Sequence, residues 1–224
     1  MRNYFEFLHF IAKSQITVLM WRMILGMFMM ACAAGSPPSQ LEEKEPYVEE
    51  TSVRPPWQTF FRQHPTYAAD GFDFPVGPPS GRGYYNAQPF GRNAHLGDDW
   101  NAVTGGNTDL GDPVYTIAHG FVAEAYDAGG GWGHVIRVVH QHPDFTDGFG
   151  ESLYAHCDTM LVQAGDSVRR GDQIGTIGTA HGAYLAHLHL ELRPQAGLPL
   201  GGGYSYDTTG YLNPARFIEG HRPQ

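Results

Sequence analysis

Three short stretches of this chain hold the residue types that could do chemistry: His95-Leu96-Gly97-Asp98-Asp99, Tyr154-Ala155-His156 and His187-Leu188-His189. Together they supply imidazole nitrogens and carboxylate oxygens for three metal ligands, with two imidazoles to spare. A catalytic zinc site needs that set: three protein ligands, one position open to water, and neighbouring groups that move protons. His187 and His189 flank one residue. On a strand alternate side chains share a face, so both would point one way and Leu188 into the opposite layer. Two solvent-facing histidines on a half-polar strand would have the same pattern. His95 and Asp99 are four apart with Gly97 between them, which argues against a helix. In an extended segment the two share a face and Asp98 points away. The competing reading of that stretch is a turn in which Asp98 or Asp99 bonds its own backbone. His156 ends a strand-like run, with Tyr154 expected on the same face. Cys157 would face away and reads as a buried, inert thiol. Glu191 either orients the His189 imidazole or pairs with Arg193 at the surface, the second slightly favoured. His181 and Tyr184 are candidates for a groove wall or for a solvated loop.

The elements that must position these residues are strands. Pro113–Ala118, Gly120–Ala125, His134–His140, Ser152–His156, Gln173–Gly178 and Ala186–Arg193 are short and rich in β-branched or aromatic residues, and Gly, Pro, Asp or Asn separates most of them. No sustained 3.6-residue apolar period occurs beyond the N-terminal region. With 29 glycines and 16 prolines in 224 residues, the composition favours strands and turns over long helices. The expected folded body, residues 71–219, is one domain's worth, preceded by an apolar arm at 57–70 and followed by a short tail at 220–224.

The N-terminal region has the features of export. Met23–Ala34 is an apolar run behind Arg22 that ends in small residues, and it is shorter than the roughly 20 residues needed to span a bilayer. Residues 1–34 are therefore expected to be a signal, with Met20 or Met23 as the expected true start. Met29-Met30-Ala31-Cys32-Ala33 resembles a bacterial lipobox, and membrane anchorage through a lipidated Cys32 is favoured over ordinary signal cleavage. Residues 35–56, polar and proline-rich, read as a disordered linker. The expected location is the extracytoplasmic cell envelope, the periplasm.

Several function classes are excluded. A net charge of −9 gives nucleic-acid binding no electrostatic support. There is no His-Glu-x-x-His and no Gly-x-Ser-x-Gly nucleophile elbow. Ala164-Gly-Asp-Ser-Val-Arg-Arg-Gly-Asp-Gln-Ile-Gly175 resembles the hammerhead of lipoyl and biotinyl carriers, but no lysine follows Lys44, so a carrier role is excluded and the segment reads as a turn between strands.

The order Phe90-Gly-Arg, His95-x-Gly-x-Asp99, Asp109-Leu-Gly-Asp-Pro-Val-Tyr, Gly131-Trp-Gly-His-Val-Ile, Tyr154-Ala-His, Val168-Arg-Arg-Gly-Asp-Gln-Ile-Gly, His187-Leu-His-Leu-Glu-Leu-Arg and Leu212-Asn-Pro resembles the M23 zinc metallopeptidases, the lysostaphin/LytM-type endopeptidases. The resemblance covers residues 90–218. It implies a mainly β fold, a single domain rich in antiparallel sheet with little helix. It also implies one Zn2+ ion and hydrolysis of peptide cross-links in bacterial peptidoglycan, whose peptide stems would be the partner. By position His95, Asp99 and His189 would be the metal ligands, and His156 and His187 the catalytic histidines. The rival reading is a regulatory protein on the same fold that activates other wall hydrolases. The presence of all five residues disfavours it.

Overall fold

A computed structural model describes residues 54–223; the expected signal, Cys32 and the linker up to residue 53 lie outside the described residues. Among the described residues nine strands carry the fold: β1 (Tyr84–Gln88), β2 (Asp98–Ala102), β3 (Pro113–Tyr115), β4 (Gly120–Asp127), β5 (His134–Gln141), β6 (Phe149–Cys157), β7 (Ser167–Val168), β8 (Gln173–Thr176) and β9 (Leu188–Arg193). Seven form one antiparallel sheet in the order β1-β2-β9-β6-β5-β4-β7, and β3 pairs with β8. The fold is mainly β, as the sequence predicts. Two short α-helices among the described residues, α1 (Pro56–Gln63) and α2 (Pro214–Gly220), flank it.

The six strand-like runs all contain strands. Three further strands, β1, β2 and β7, were not anticipated. Tyr84-Tyr-Asn-Ala-Gln and Asp98-Asp-Trp-Asn-Ala are polar, and Ser167-Val168 is too short for alternation to register. The helices have seven or eight residues, about two turns, too short to show an apolar period. α1 lays Phe60 against Phe121 and Phe61 against Phe149, with ring centroids 5.2 and 5.7 Å apart. α2 begins with Asn213, whose side chain accepts the Arg216 N–H, followed by Pro214 at the first helical position.

The central strand β9 sets the layers. Leu188, Leu190 and Leu192 enter the main apolar core with Ile136, Val138 and Tyr154. His189, Glu191 and Arg193 take the opposite face, and they too are buried. The expected surface pairing of Glu191 with Arg193 is therefore corrected. The pair exists, with Arg193 donating to Glu191 Oε2 at 2.7 Å, but inside the protein. Arg193 also donates to the carbonyls of Pro199 and Leu200, and Arg137, bidentate to Glu151, donates to Leu198. These buried guanidinium groups hold the segment after β9 across the polar face.

Candidate metal centre

β2 and β9 are paired with Asp99 opposite His189, so the carboxylate and the imidazole share a face of the sheet. His95, just before β2, is extended and bridges to Tyr204. The result is a trio: His189 Nδ1 lies 2.9 Å from Asp99 Oδ1, and His95 Nε2 lies 3.0 Å from His189 Nδ1 and 3.3 Å from Asp99 Oδ1. Asp98 points the other way. Fully buried, it accepts the Phe90 N–H on one oxygen and the Ala215 N–H on the other, both at 2.9 Å.

The remaining ring nitrogens decide what the trio can hold. His95 Nδ1 lies 3.0 Å from the Gln88 carbonyl, which can only accept, so Nδ1 carries the hydrogen and Nε2 the lone pair. His189 Nε2 points at Glu191 Oε1, 3.4 Å away, which leaves the lone pair on Nδ1. With neutral rings three acceptors thus face one another at 2.9–3.3 Å, so either a proton on His189 or a metal cation must lie between them. Tetrahedral zinc with bonds of about 2.0–2.1 Å sets its ligand atoms roughly 3.3 Å apart, so the donor set fits that ion. The ionisation behaviour agrees with this. Burial alone would lower the His189 pKa, but its bonds to Asp99 and Glu191 and their charges outweigh burial and bring it up to about 9. Burial would raise Asp99, yet His189 and His95 hold it well below the usual carboxylate range. The trio demands positive charge at its centre.

Beside it lies an open groove of about 390 Å³, walled by Trp132, Tyr184, Tyr204 and Gln88 and by backbone at Gly131, Gly202 and Gly203. Asp99, His156, His187 and His189 also line it. His187 stands just outside β9 and bridges to Gly178; its Nδ1 donates to the Leu185 carbonyl at 2.8 Å, and its Nε2 is 3.8 Å from Asp99 Oδ1. His156 Nδ1 donates to the Trp132 carbonyl at 3.2 Å, and the His156 and His187 rings lie 4.7 Å apart. Burial, then the neighbouring His189 and His187, push His156 down to about 3. With Nδ1–H committed to a carbonyl in each ring, the neutral form of both imidazoles carries its lone pair on Nε2.

Tyr154 and His156 do not share a face, contrary to the alternation expected from sequence. Tyr154 is in the apolar core, while His156 opens onto the groove. A bulge falls between the His134–Cys157 and Ile136–Tyr154 pairs, and His156 takes a left-handed backbone with φ of 63°. The extra residue turns His156 out of the core face and sends Cys157 into it. Cys157 is buried as expected, and burial pushes its thiol up to about 12. Of the two loop candidates, Tyr184 lines the groove. His181 instead pairs with Asp127 at 3.0 Å. The sequence reading missed Gln88, Trp132 and Tyr204 and the carbonyls of Gln88, Trp132 and Leu185. A main-chain oxygen carries no residue-type signature, and only the Gly131-Trp-Gly motif hinted at the first wall.

Residues 95–200 match the model of peptidase family M23. The chain is 37% identical over 83 residues to lipoprotein NlpD of Yersinia enterocolitica, a match spanning 37% of this chain and 78% of that protein. It belongs to peptidase family M23. Murein hydrolase activator NlpD of Salmonella dublin is 33% identical over 102 residues, 43% of this chain and a quarter (25%) of that protein. The catalytic domain of lysostaphin from Staphylococcus simulans superposes with a TM-score of 0.42 at 23% identity, covering 66% of this chain and 89% of that one. The M23 match begins at His95 and takes in Asp99, His156, His187 and His189.

Proposed function

We propose that this protein is a zinc-dependent endopeptidase that hydrolyses peptide cross-links of bacterial peptidoglycan, with His95, Asp99 and His189 holding the ion and His156 and His187 as the catalytic histidines. The observation that carries this reading is convergence: three metal-facing acceptors 2.9–3.3 Å apart beside two imidazoles whose Nε2 atoms are free toward one groove. Zinc held there supplies a water acidic enough to ionise near pH 7 and a positive charge for the scissile carbonyl oxygen. His187 and His156, each with Nδ1–H committed to a carbonyl, accept the proton released as the peptide carbon is attacked. Once protonated, the same nitrogens donate, toward the developing oxyanion or the leaving amine. Trp132, Tyr184 and Tyr204 give an extended peptide apolar walls, and the glycine backbone lets it approach closely. Envelope location with anchorage through Cys32 is supported by the lipobox-like Met29–Ala33 and by relatives named as lipoproteins.

The test is digestion of purified sacculi by the full chain, with and without chelator, and mass spectrometry of the released muropeptides. Release should stop with chelator and return with zinc. His189→Ala should lose both metal and hydrolysis. His156→Ala and His187→Ala should keep the metal and lose about 10²–10⁴ in turnover. The second reading, activation of other wall hydrolases, is favoured by the name of the Salmonella relative. Sacculi left intact under every metal condition, with stimulation of a separate hydrolase, would replace the first reading by the second.

A further inference from the structure

The β4–β5 loop and the loop before β9 both contribute to the groove wall, and a second set of ligating side chains joins them. Asp127 ends β4, His134 begins β5, and His181 lies in the turn after β8. One ligand atom from each lies within 4.8 Å of the other two. His181 Nε2 is 3.0 Å from Asp127 Oδ1, and the His181 and His134 rings meet edge to face at 5.0 Å. His134 Nδ1 donates to the Asp158 carbonyl at 3.0 Å, so its Nε2 carries the lone pair. The arrangement that frees a ligand nitrogen in the trio is repeated here. Ala180 and His181 both take left-handed backbone, with φ of 47° and 58°, in a turn where Thr179 accepts the Gly182 and Tyr184 N–H groups. Two successive non-glycine residues in that region cost free energy, and here they direct His181 toward Asp127.

We propose that Asp127, His134 and His181 form a second divalent transition-metal site that staples these two loops together. Two imidazoles and a carboxylate are a zinc-type donor set. Asp127 and His181 are about half exposed, at 51% and 50%, so the site can load from solvent and binds more weakly than the buried trio. The loops already touch backbone to backbone: a Cβ on Gly133 would lie 2.8 Å from Ala180 Cα. What makes the staple consequential is what each loop carries. The β4–β5 loop supplies the Trp132 carbonyl that fixes His156, and the other supplies the Leu185 carbonyl that fixes His187. Occupancy therefore stiffens both supports of the catalytic imidazoles. That consequence rests on the function proposed above; the metal site rests on its own donor set.

The probe is Zn2+ titrated into the metal-stripped full chain, read by calorimetry and by hydrogen exchange. The wild type should take up a second, weaker equivalent that raises protection in residues 127–134 and 179–187. Asp127→Asn and His181→Gln should each lose that equivalent and its protection, and both should keep the tight one. His189→Ala should lose the tight equivalent and keep the weak one, even if the protein proves to be no peptidase. His142→Gln, in the separate His142–Asp144–His221 cluster, is the control. A weak equivalent that survives both loop variants, disappears with His142→Gln, or is absent from the wild type would overturn the proposal.

Discussion

Gly97 sits where the His189 ring and the β9 backbone need room. A Cβ at this position would come within 2.5 Å of the Leu190 carbonyl oxygen and 2.8 Å of the His189 ring. The first contact is with main chain of the central strand and cannot swing aside, so either β2 moves away from β9 or the His189 ring leaves the trio. Gly97→Ala should therefore lower the zinc bound per chain, with far-ultraviolet circular dichroism unchanged. Retention of full zinc by that variant would show that the strands part freely. Glu191 acts on the same imidazole from behind. It accepts from His189 Nε2 and is itself held by Arg193, so it fixes both the tautomer and the ring plane. Removing such an outer partner commonly weakens metal affinity about 10–100-fold. Glu191→Gln should do so in a chelator competition while leaving the ligands in place, and an unchanged affinity would mean that Asp99 alone orients the ring.

The elements act through register. β2 places Asp99 opposite His189, and one residue back Asp98 ties the β1–β2 connection and the start of α2 to the opposite face. Asp98→Ala leaves two backbone N–H groups unpaired and should cost about 1–3 kcal/mol in denaturant unfolding. The zinc content of the folded fraction should not change, because Asp98 faces away from the trio. A loss of zinc there would instead mean that Asp98 sets the register of its neighbour. The same alternation explains how much was legible beforehand. His95 with Asp99, and His187 with His189, could each be placed on a common face by simple alternation, but that β2 sets Asp99 opposite His189 was visible only in the structure. His156 could not be placed that way, because the bulge opposite Val135 and its left-handed backbone reverse its direction, and no residue type there announces a bulge. β1 and β2 were hidden for a related reason. Several of their polar side chains bond neighbouring segments or join the His–Asp trio, so the hydrophobic pattern by which strands are recognised is missing from them.

At the scale of the whole molecule, the sheet buries polar groups on both faces, and the two populations answer to pH differently. On the face with the trio, Arg137, Glu151, Glu191 and Arg193 neutralise one another. On the apolar face His140 has no ionic partner among the described residues. It is fully buried; its Nδ1–H donates to the His119 carbonyl at 2.8 Å, and its Nε2 lies 2.7 Å from Ser152 Oγ, which in turn is 3.0 Å from Tyr154 Oη. Burial, against the support of the His119 carbonyl, lowers its pKa from 6.5 to about 4. The folded value lies below the unfolded one, so as pH falls through 6.5 the unfolded chain takes up a proton that the folded chain refuses. Stability is then lost progressively down to about pH 4, below which both states are protonated and the slope ends. The shift corresponds to about 3 kcal/mol. Burial also lowers His119, His142 and His156, so these histidines add to the acid sensitivity. The contribution of His140 must therefore be read by difference. Urea unfolding at a series of pH values should give a shallower loss of stability between pH 6.5 and 4 for His140→Gln than for the wild type. Parallel curves would assign the acid sensitivity to His119, His142 and His156 instead.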